Sequence, residues 1–391
     1  MSLHELLDLV FRWVHLIAGI MWIGNSLLFN WLDRNLVKPV DKDRKGFEGE
    51  IWLLHSGGFY QVEKKMLEPN QLPAQLHWFK WQNAFTWASG ICLIVIVYWM
   101  NDGAFLLDPS VSKIGRGAAI GLSIALIGSA WLAYDVLWRA LGRRKWLAGT
   151  LSIALLVGVS LVLTHTLSGR AAYIHVGVLL GTLMTGNVWL VILPSQRELV
   201  AATKAGREQD RALSLRAKER SIHNNYMTFP LLFIMLSNHF PSTYGSDKKL
   251  AILFVLMIVG AAVRHFMNIR FWLKHWLRAL WVVVGLGVFY VVLFTEGELP
   301  AAPGPVTFAA VTQVITHRCL PCHSRKPSDP AFPVAPANVV FDTPEDIRNM
   351  AARIRERAVV TKTMPLANKT EITDGERGIL ARWVKDGASL E

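Results

Sequence analysis

The sequence predicts an all-α protein: a polytopic membrane bundle of about eight helices, then a small soluble helical domain. Three observations predict it. Apolar runs of near-spanning length recur through residues 1–295. The loops between them alternate between basic and non-basic. A Pro/Gly/Ala stretch, "EGELPAAPGPV", then leads into a more polar C-terminal segment. The chain has 391 residues, 52% of them hydrophobic and only 18% charged, which is too apolar for a soluble protein of that length. Its 16 tryptophans suit the aromatic belts at the two faces of a bilayer. The net charge of +12 would suggest a nucleic-acid partner in a soluble chain. Here the basic residues sit in loops between apolar runs, so membrane topology accounts for them and no nucleic acid is expected.

A span needs about 20 apolar residues. The runs fall at 9–30, 83–100, 117–138, 147–166, 171–193, 226–240, 249–268 and 276–295. The sixth, "YMTFPLLFIMLSNHF", is short and holds Pro230, Asn238 and His239. It can span only where its freed backbone groups find partners inside a polar bundle. Loop charge supports counting it. The segment 31–80 carries Arg34, Lys38, Lys42, Arg44, Lys45, Lys64 and Lys65, whereas the next loop sets Asp102 and Asp108 against one lysine. "WRALGRRK" is basic, the connection near Arg170 is not, and 194–221 is basic again. The alternation runs unbroken, which predicts eight spans with both termini outside. The opening "MSLHELLDLVFRW" lacks a basic leader region and reads as part of a resident helix. The expected organisation is a membrane domain over 1–295, a linker over 296–305 and a C-terminal domain over 306–391.

That last domain opens with "TFAAVTQVITHRCLPCH", a helix ending in Cys-x-x-Cys-His. This is the attachment signature of a c-type haem: Cys319 and Cys322 bond to the vinyl groups and His323 ligates the iron. "TKTMPLAN" offers Met364, whose thioether suits the sixth position, with Pro365 stiffening the loop. In "TDGERGILARWVKDGA", Thr373 can cap a closing helix while Ile379, Leu380 and Trp383 face inward. A zinc or thiol-redox site is the alternative, but the flanking histidine and the downstream Met-Pro favour one covalent haem c in a class I cytochrome c domain. Such a group carries single electrons, so substrate chemistry must lie elsewhere. Haem c is attached in the periplasm, in agreement with an outside C-terminus and a bacterial inner membrane. Cys92 lies in an apolar run and reads as packing, with no disulfide expected.

Ionisable groups inside a membrane are functional candidates by default. Near the outer side fall His15, His165, His175 and His239. These are candidate ligands of one or more b-type haems that would relay electrons to the c haem. Gly19 follows His15 by one turn, and Gly177 and Gly181 follow His175, leaving room for a flat macrocycle. The competing reading makes them ordinary packing glycines and hydrogen-bonded histidines. On the inner side, "GEIWLLHSGGFYQVEKK", "LHWFKWQN" and "SIHNNYMTFP" suggest a polar pocket. His55, His77 and His223 are candidates for a base or positioning group, with Lys80 as partner for an anion. Gly57 and Gly58 permit close backbone approach, Tyr60 can stack on a planar ring, and Asn224, Asn225 and Tyr226 can read its edges. An interfacial belt with snorkelling lysines is the alternative, and it covers the tryptophans better than the Gly-Gly and Asn-Asn pairs.

These stretches resemble the bacterial membrane-bound cytochrome c urate oxidases, or urate hydroxylases. The resemblance runs along the whole chain. It includes "WVHLIAGIMWIGNSLLFNWLD", "GEIWLLHSGGFY", "LHWFKW", "HNNYMTFP" and the C-terminal "CLPCH" with "TMPL". It implies eight membrane helices fused to a cytochrome c, and oxidation of urate to 5-hydroxyisourate in purine catabolism. Electrons would pass to the c haem and on to a periplasmic cytochrome or terminal oxidase of the respiratory chain. Two positions depart from the family pattern: Ser56 stands where a glycine is usual, and Gln82 where a glutamate is. Urate, a planar anion made inside the cell, suits an inner-side pocket in a protein otherwise surrounded by lipid. Two rival readings are an electron-transfer module without a purine substrate, and a haem or metal transport protein carrying a cytochrome. The first predicts no organised inner pocket; the second predicts an open path through the bundle.

Overall fold

A computed structural model describes residues 3–38, 46–100, 103–295 and 304–390. Lys42, Arg44, Lys45, Asp102 and most of the expected linker lie outside the described residues. Seven described helices are long and apolar enough to cross a membrane: Leu3–Asn35, Trp81–Trp99, Arg116–Ala140, Lys145–Thr166, Gly169–Lys204, Lys249–Ile269 and Trp276–Thr295. The sixth apolar run is the exception. It forms the last part of a helix, Arg211–Leu236, whose first half is rich in arginine and lysine. That helix is long enough to span but not apolar enough throughout. The chain divides into two compact units, Met1–Cys92 with Leu180–Thr228, and Leu93–Leu179 with Phe229–Glu391.

The first unit begins with α1 (Leu3–Asn35), which buries Ala18 and Leu32. Its outward face leaves Leu9, Trp13, Leu16 and Ile20 exposed, an arrangement that only an apolar solvent favours. A two-stranded antiparallel hairpin follows, β1 (Phe47–His55) and β2 (Gly58–Lys65), in a chain expected to be wholly helical. The turn accounts for it. Ser56 and Gly57 both take left-handed backbone angles, φ 51° and 77°, the combination a tight two-residue hairpin requires. Val37 pairs with Glu50 and Lys64 bonds Asp33 at 2.7 Å, tying the hairpin to the end of α1. The unit also holds the start of α2 (Trp81–Leu93), the end of α5 (Gly169–Asn187), α6 (Leu193–Lys204) and most of α7 (Arg211–Leu236).

The second unit takes up α2 where its helix widens into a π turn over Ile94–Trp99. It adds α3 (Arg116–Ala140), α4 (Lys145–Thr166), the start of α5, a short α8 (Pro241–Tyr244), α9 (Lys249–Ile269) and α10 (Trp276–Thr295). Glycines let these helices close up. A methyl at Gly287 of α10 would press on Val259 of α9 at 2.6 Å, and one at Gly260 would meet the Pro230 nitrogen at 3.0 Å. The C-terminal segment packs α11 (Phe308–Arg318), α12 (Pro344–Asn349), α13 (Ala351–Ile354) and α14 (Asp374–Lys385) around Val311, Ile315, Ile354, Leu380 and Trp383. Thr373 caps α14 as expected, in a box completed by Glu376. Leu380 and Trp383 are buried and Ile379 is partly so.

Candidate functional site

Buried side-chain amides mark the interior of the first unit. Asn224 on α7 accepts a hydrogen bond from Asn187 Nδ2 at 2.9 Å and donates to the Met184 carbonyl at 3.0 Å. Asn225 donates to Asn30 of α1 at 3.0 Å. Asn83 of α2 donates to Thr185 of α5 at 3.1 Å. Four helices thus meet through amides and a hydroxyl, of which Asn83, Thr185, Asn187, Asn224 and Asn225 are buried and Asn30 is half-buried. Asn83 is 1% exposed and its Oδ1 has no hydrogen-bond partner among the described residues, so an acceptor stands open among these helices. A buried carbonyl left unmatched costs on the order of 1–3 kcal/mol, and such groups mark places where water or ligand binds.

One to two turns further along α2, about 5–9 Å by helical rise, Thr86 and Ser89 meet His15 of α1. His15 Nδ1–H donates to the Thr86 carbonyl at 2.9 Å and lies 3.2 Å from Ser89 Oγ. That fixes the tautomer and leaves Nε2 with its lone pair, the state of a proton acceptor or an iron ligand. Gly90 faces the same ring: a methyl there would stand 3.1 Å from His15 Cε1.

The other outer-side candidates differ. His175 is 1% exposed with both ring nitrogens engaged, Nδ1–H on the Ala171 carbonyl and Nε2 with Ser123 Oγ, each at 2.7 Å. Its ring packs edge-on to Tyr98. A methyl at nearby Gly177 would overlap Met235, so that glycine serves helix packing. His165 and His239 are exposed. Of the four, His15 alone combines burial with a ring nitrogen outside the hydrogen bonds described.

The inner-side candidates divide. Asn224 and Asn225 are buried in the amide cluster, while His223 and Tyr226 beside them on α7 are half-buried. His55, Gly57 and Tyr60 are exposed on the hairpin, with Gly58 half-buried, and His77 is exposed ahead of α2. Lys80 Nζ lies over the rings of Trp78 and Trp81 at 5.6 and 5.4 Å, the snorkelling arrangement of an interfacial belt. Asn30, Asn83, Thr185 and Asn187 complete the cluster and were not singled out from the sequence. Their signal was available, since each is a polar residue inside or at the edge of an apolar run.

In the second unit, Cys319, Cys322 and His323 follow the end of α11, with the His323 N–H bonded to the Cys319 carbonyl at 2.9 Å. Both cysteines are free. Burial pushes the Cys319 thiol up to about 12 and the Cys322 thiol up to about 11, so both are thiols near neutrality. His323 Nδ1–H donates to the Val339 carbonyl at 3.0 Å, leaving Nε2 open. Burial lowers its pKa against that bond, which keeps the imidazole neutral. The loop bearing Met364 is held by its own N–H on the Arg357 carbonyl at 2.9 Å and by Arg377, which donates to the Met364 carbonyl at 2.9 Å. Two thiols, an imidazole in the ligating tautomer and a thioether on an ordered loop fit a covalently bound haem. Among the described residues no group of three or more His, Cys, Asp or Glu converges on a metal site. A haem brings its own porphyrin nitrogens and asks the chain for axial ligands alone.

The family model described as urate oxidase N-terminal matches residues 1–295. Comparison with curated proteins and with solved structures gave no match.

Proposed function

Because the chain belongs to the urate oxidase N-terminal family, we propose that it oxidises urate to 5-hydroxyisourate at the buried amide cluster of its helical bundle. The observation that carries this is the open Asn83 carbonyl among Asn30, Thr185, Asn187, Asn224 and Asn225. A planar ring with alternating N–H and C=O edges is what such a set of donors and acceptors can read. The reaction adds water to the ring carbon between the two carbonyl-bearing arms: urate and water give 5-hydroxyisourate, two protons and two electrons. His223, next to Asn224 on α7, is the candidate to take a proton. Lys80, His55 and His77 sit at the interface, where a mobile anion would first meet the protein.

Cys319, Cys322, His323 and Met364 would hold a c-type haem, which when bound carries one electron at a time to an outside cytochrome or terminal oxidase. His15 is the best-placed ligand for a b-type haem within the bundle. The protein then sits in the bacterial inner membrane with eight spans, the C-terminal domain in the periplasm and the amide cluster towards the cytoplasm. Arg211–Leu236 would supply the eighth span, its charged half projecting inward and its polar face covered by the amide network. The test is urate consumption by the purified protein without oxygen. Turnover should require an added cytochrome acceptor and yield no peroxide. Urate loss that depends on oxygen and forms peroxide would refute the reading.

A further inference from the structure

We propose that Gly245 is a positioning residue that seats the Met364 loop on the helical bundle. The proposal rests on Met364 being a haem ligand, as argued above. Its basis is a pair of backbone contacts with no room for a side chain. A methyl at Gly169, the first residue of α5, would overlap the Tyr244 carbonyl oxygen. A methyl at Gly245, the next residue on, would overlap the Thr361 carbonyl oxygen and lie 2.9 Å from the Pro241 carbonyl. Gly245 has φ −85° and ψ −13°, which any residue adopts. Space is therefore the requirement at this position, and conformation is not.

Both partners of the contact are fixed from behind. The short α8 is pinned to the bundle: the Tyr173 hydroxyl bonds the Thr243 carbonyl at 3.1 Å, and its ring packs edge-on to Tyr244. On the other side, the Thr361 N–H and hydroxyl both bond the Glu356 carbonyl, at 2.9 and 2.8 Å. Thr361 cannot retreat without breaking those bonds, and Met364 lies three residues on. Lys362, in a left-handed conformation at φ 46°, reaches Asp247 at 3.7 Å and Asp374 at 3.6 Å. Asp247 is largely exposed, so these ion pairs orient the loop more than they hold it. The junction borders a cavity of about 600 Å³ whose wall includes Arg170, Tyr244, Lys249, Met364 and Arg377. Displacing the loop would widen this space beside Met364.

The experiment uses the full-length protein with Cys92→Ser, and with Asp247→Cys and Lys362→Cys bridged by a short bis-maleimide and mapped by mass spectrometry. The same variants without the bridging cysteines are oxidised, and the sulfur-to-iron charge-transfer band is recorded with the reduction potential. The parent should bridge and show the band. Gly245→Val should cut bridging several-fold, weaken the band and lower the potential, with Gly245→Ala intermediate. Gly375→Ala, where a methyl meets nothing nearer than 3.9 Å, should match the parent. Gly245→Ala also covers the case in which the valine variant fails to fold. A parent that does not bridge, or a Gly245→Val protein that bridges and absorbs like the parent, overturns the proposal. If bridging depends on Gly245 but no band appears in any variant, the seating stands and the Met364 ligand reading falls.

Discussion

Ser56 bears a side chain in the left-handed region, where an L-residue other than glycine costs about 1–2 kcal/mol. Ser56→Gly should therefore slow amide exchange across β1 and β2 by an amount worth about 1 kcal/mol. An unchanged rate would mean the hairpin is held from elsewhere. Asn224 is a different kind of residue, buried and hydrogen-bonded between helices. Its amide both accepts from Asn187 and donates to the Met184 carbonyl. Asn224→Leu should leave the protein monodisperse, since interhelical hydrogen bonds in membranes average only about 0.6 kcal/mol. It should lower urate turnover at least tenfold, read as kcat/KM, about 1.4 kcal/mol of transition-state binding. A variant with full activity would move the site away from the cluster. At this scale the sequence singled out Asn224, Asn225 and Cys-x-x-Cys-His, because paired amides and that spacing are local patterns. Asn83 and Asn187 stood out only as polar residues in or beside apolar runs, and nothing in a single run says which of these will face each other across helices.

Among the elements, α14 gives a prediction in pH. Burial alone would raise the Glu376 carboxyl. The Thr373 N–H and then Arg318 outweigh burial and hold the carboxyl below the usual carboxylate range. A group depressed in the folded state stabilises above its ordinary pKa, about 4.3 for glutamate, and that stability is lost as pH falls through the folded value. Protection of the α14 amides, taken relative to the intrinsic exchange rate at each pH, should therefore fall as pH drops below about 4. Glu376→Gln should be less protected at pH 7, by about 1 kcal/mol, and nearly flat across the acid range. Equal acid sensitivity in both proteins would contradict the assignment. Elements were the most legible level. Long apolar runs announced seven of the helices, and Thr373 announced the start of α14. The hairpin was missed because its tight turn depends on Ser56 taking an angle that serine rarely takes. The helix α7 was misjudged in extent because its apolar part continues a charged helix without a break.

For the whole molecule, composition separates a mostly apolar stretch over 1–295 from a more polar C-terminal segment that carries Cys-x-x-Cys-His. The structure adds that the Met364 loop meets the bundle through Gly245, a contact that no local pattern signals because it joins residues more than a hundred positions apart. Urate oxidation is proposed to deliver its electrons to the group that Cys319, Cys322, His323 and Met364 would hold. The most direct test is an anaerobic titration of the oxidised, detergent-purified protein with urate, followed in the visible spectrum. The expected result is reduction of a c-type haem at one urate per two electrons accepted, with xanthine inert, and loss of the response in Asn224→Leu. A haem that dithionite reduces and urate does not would contradict it.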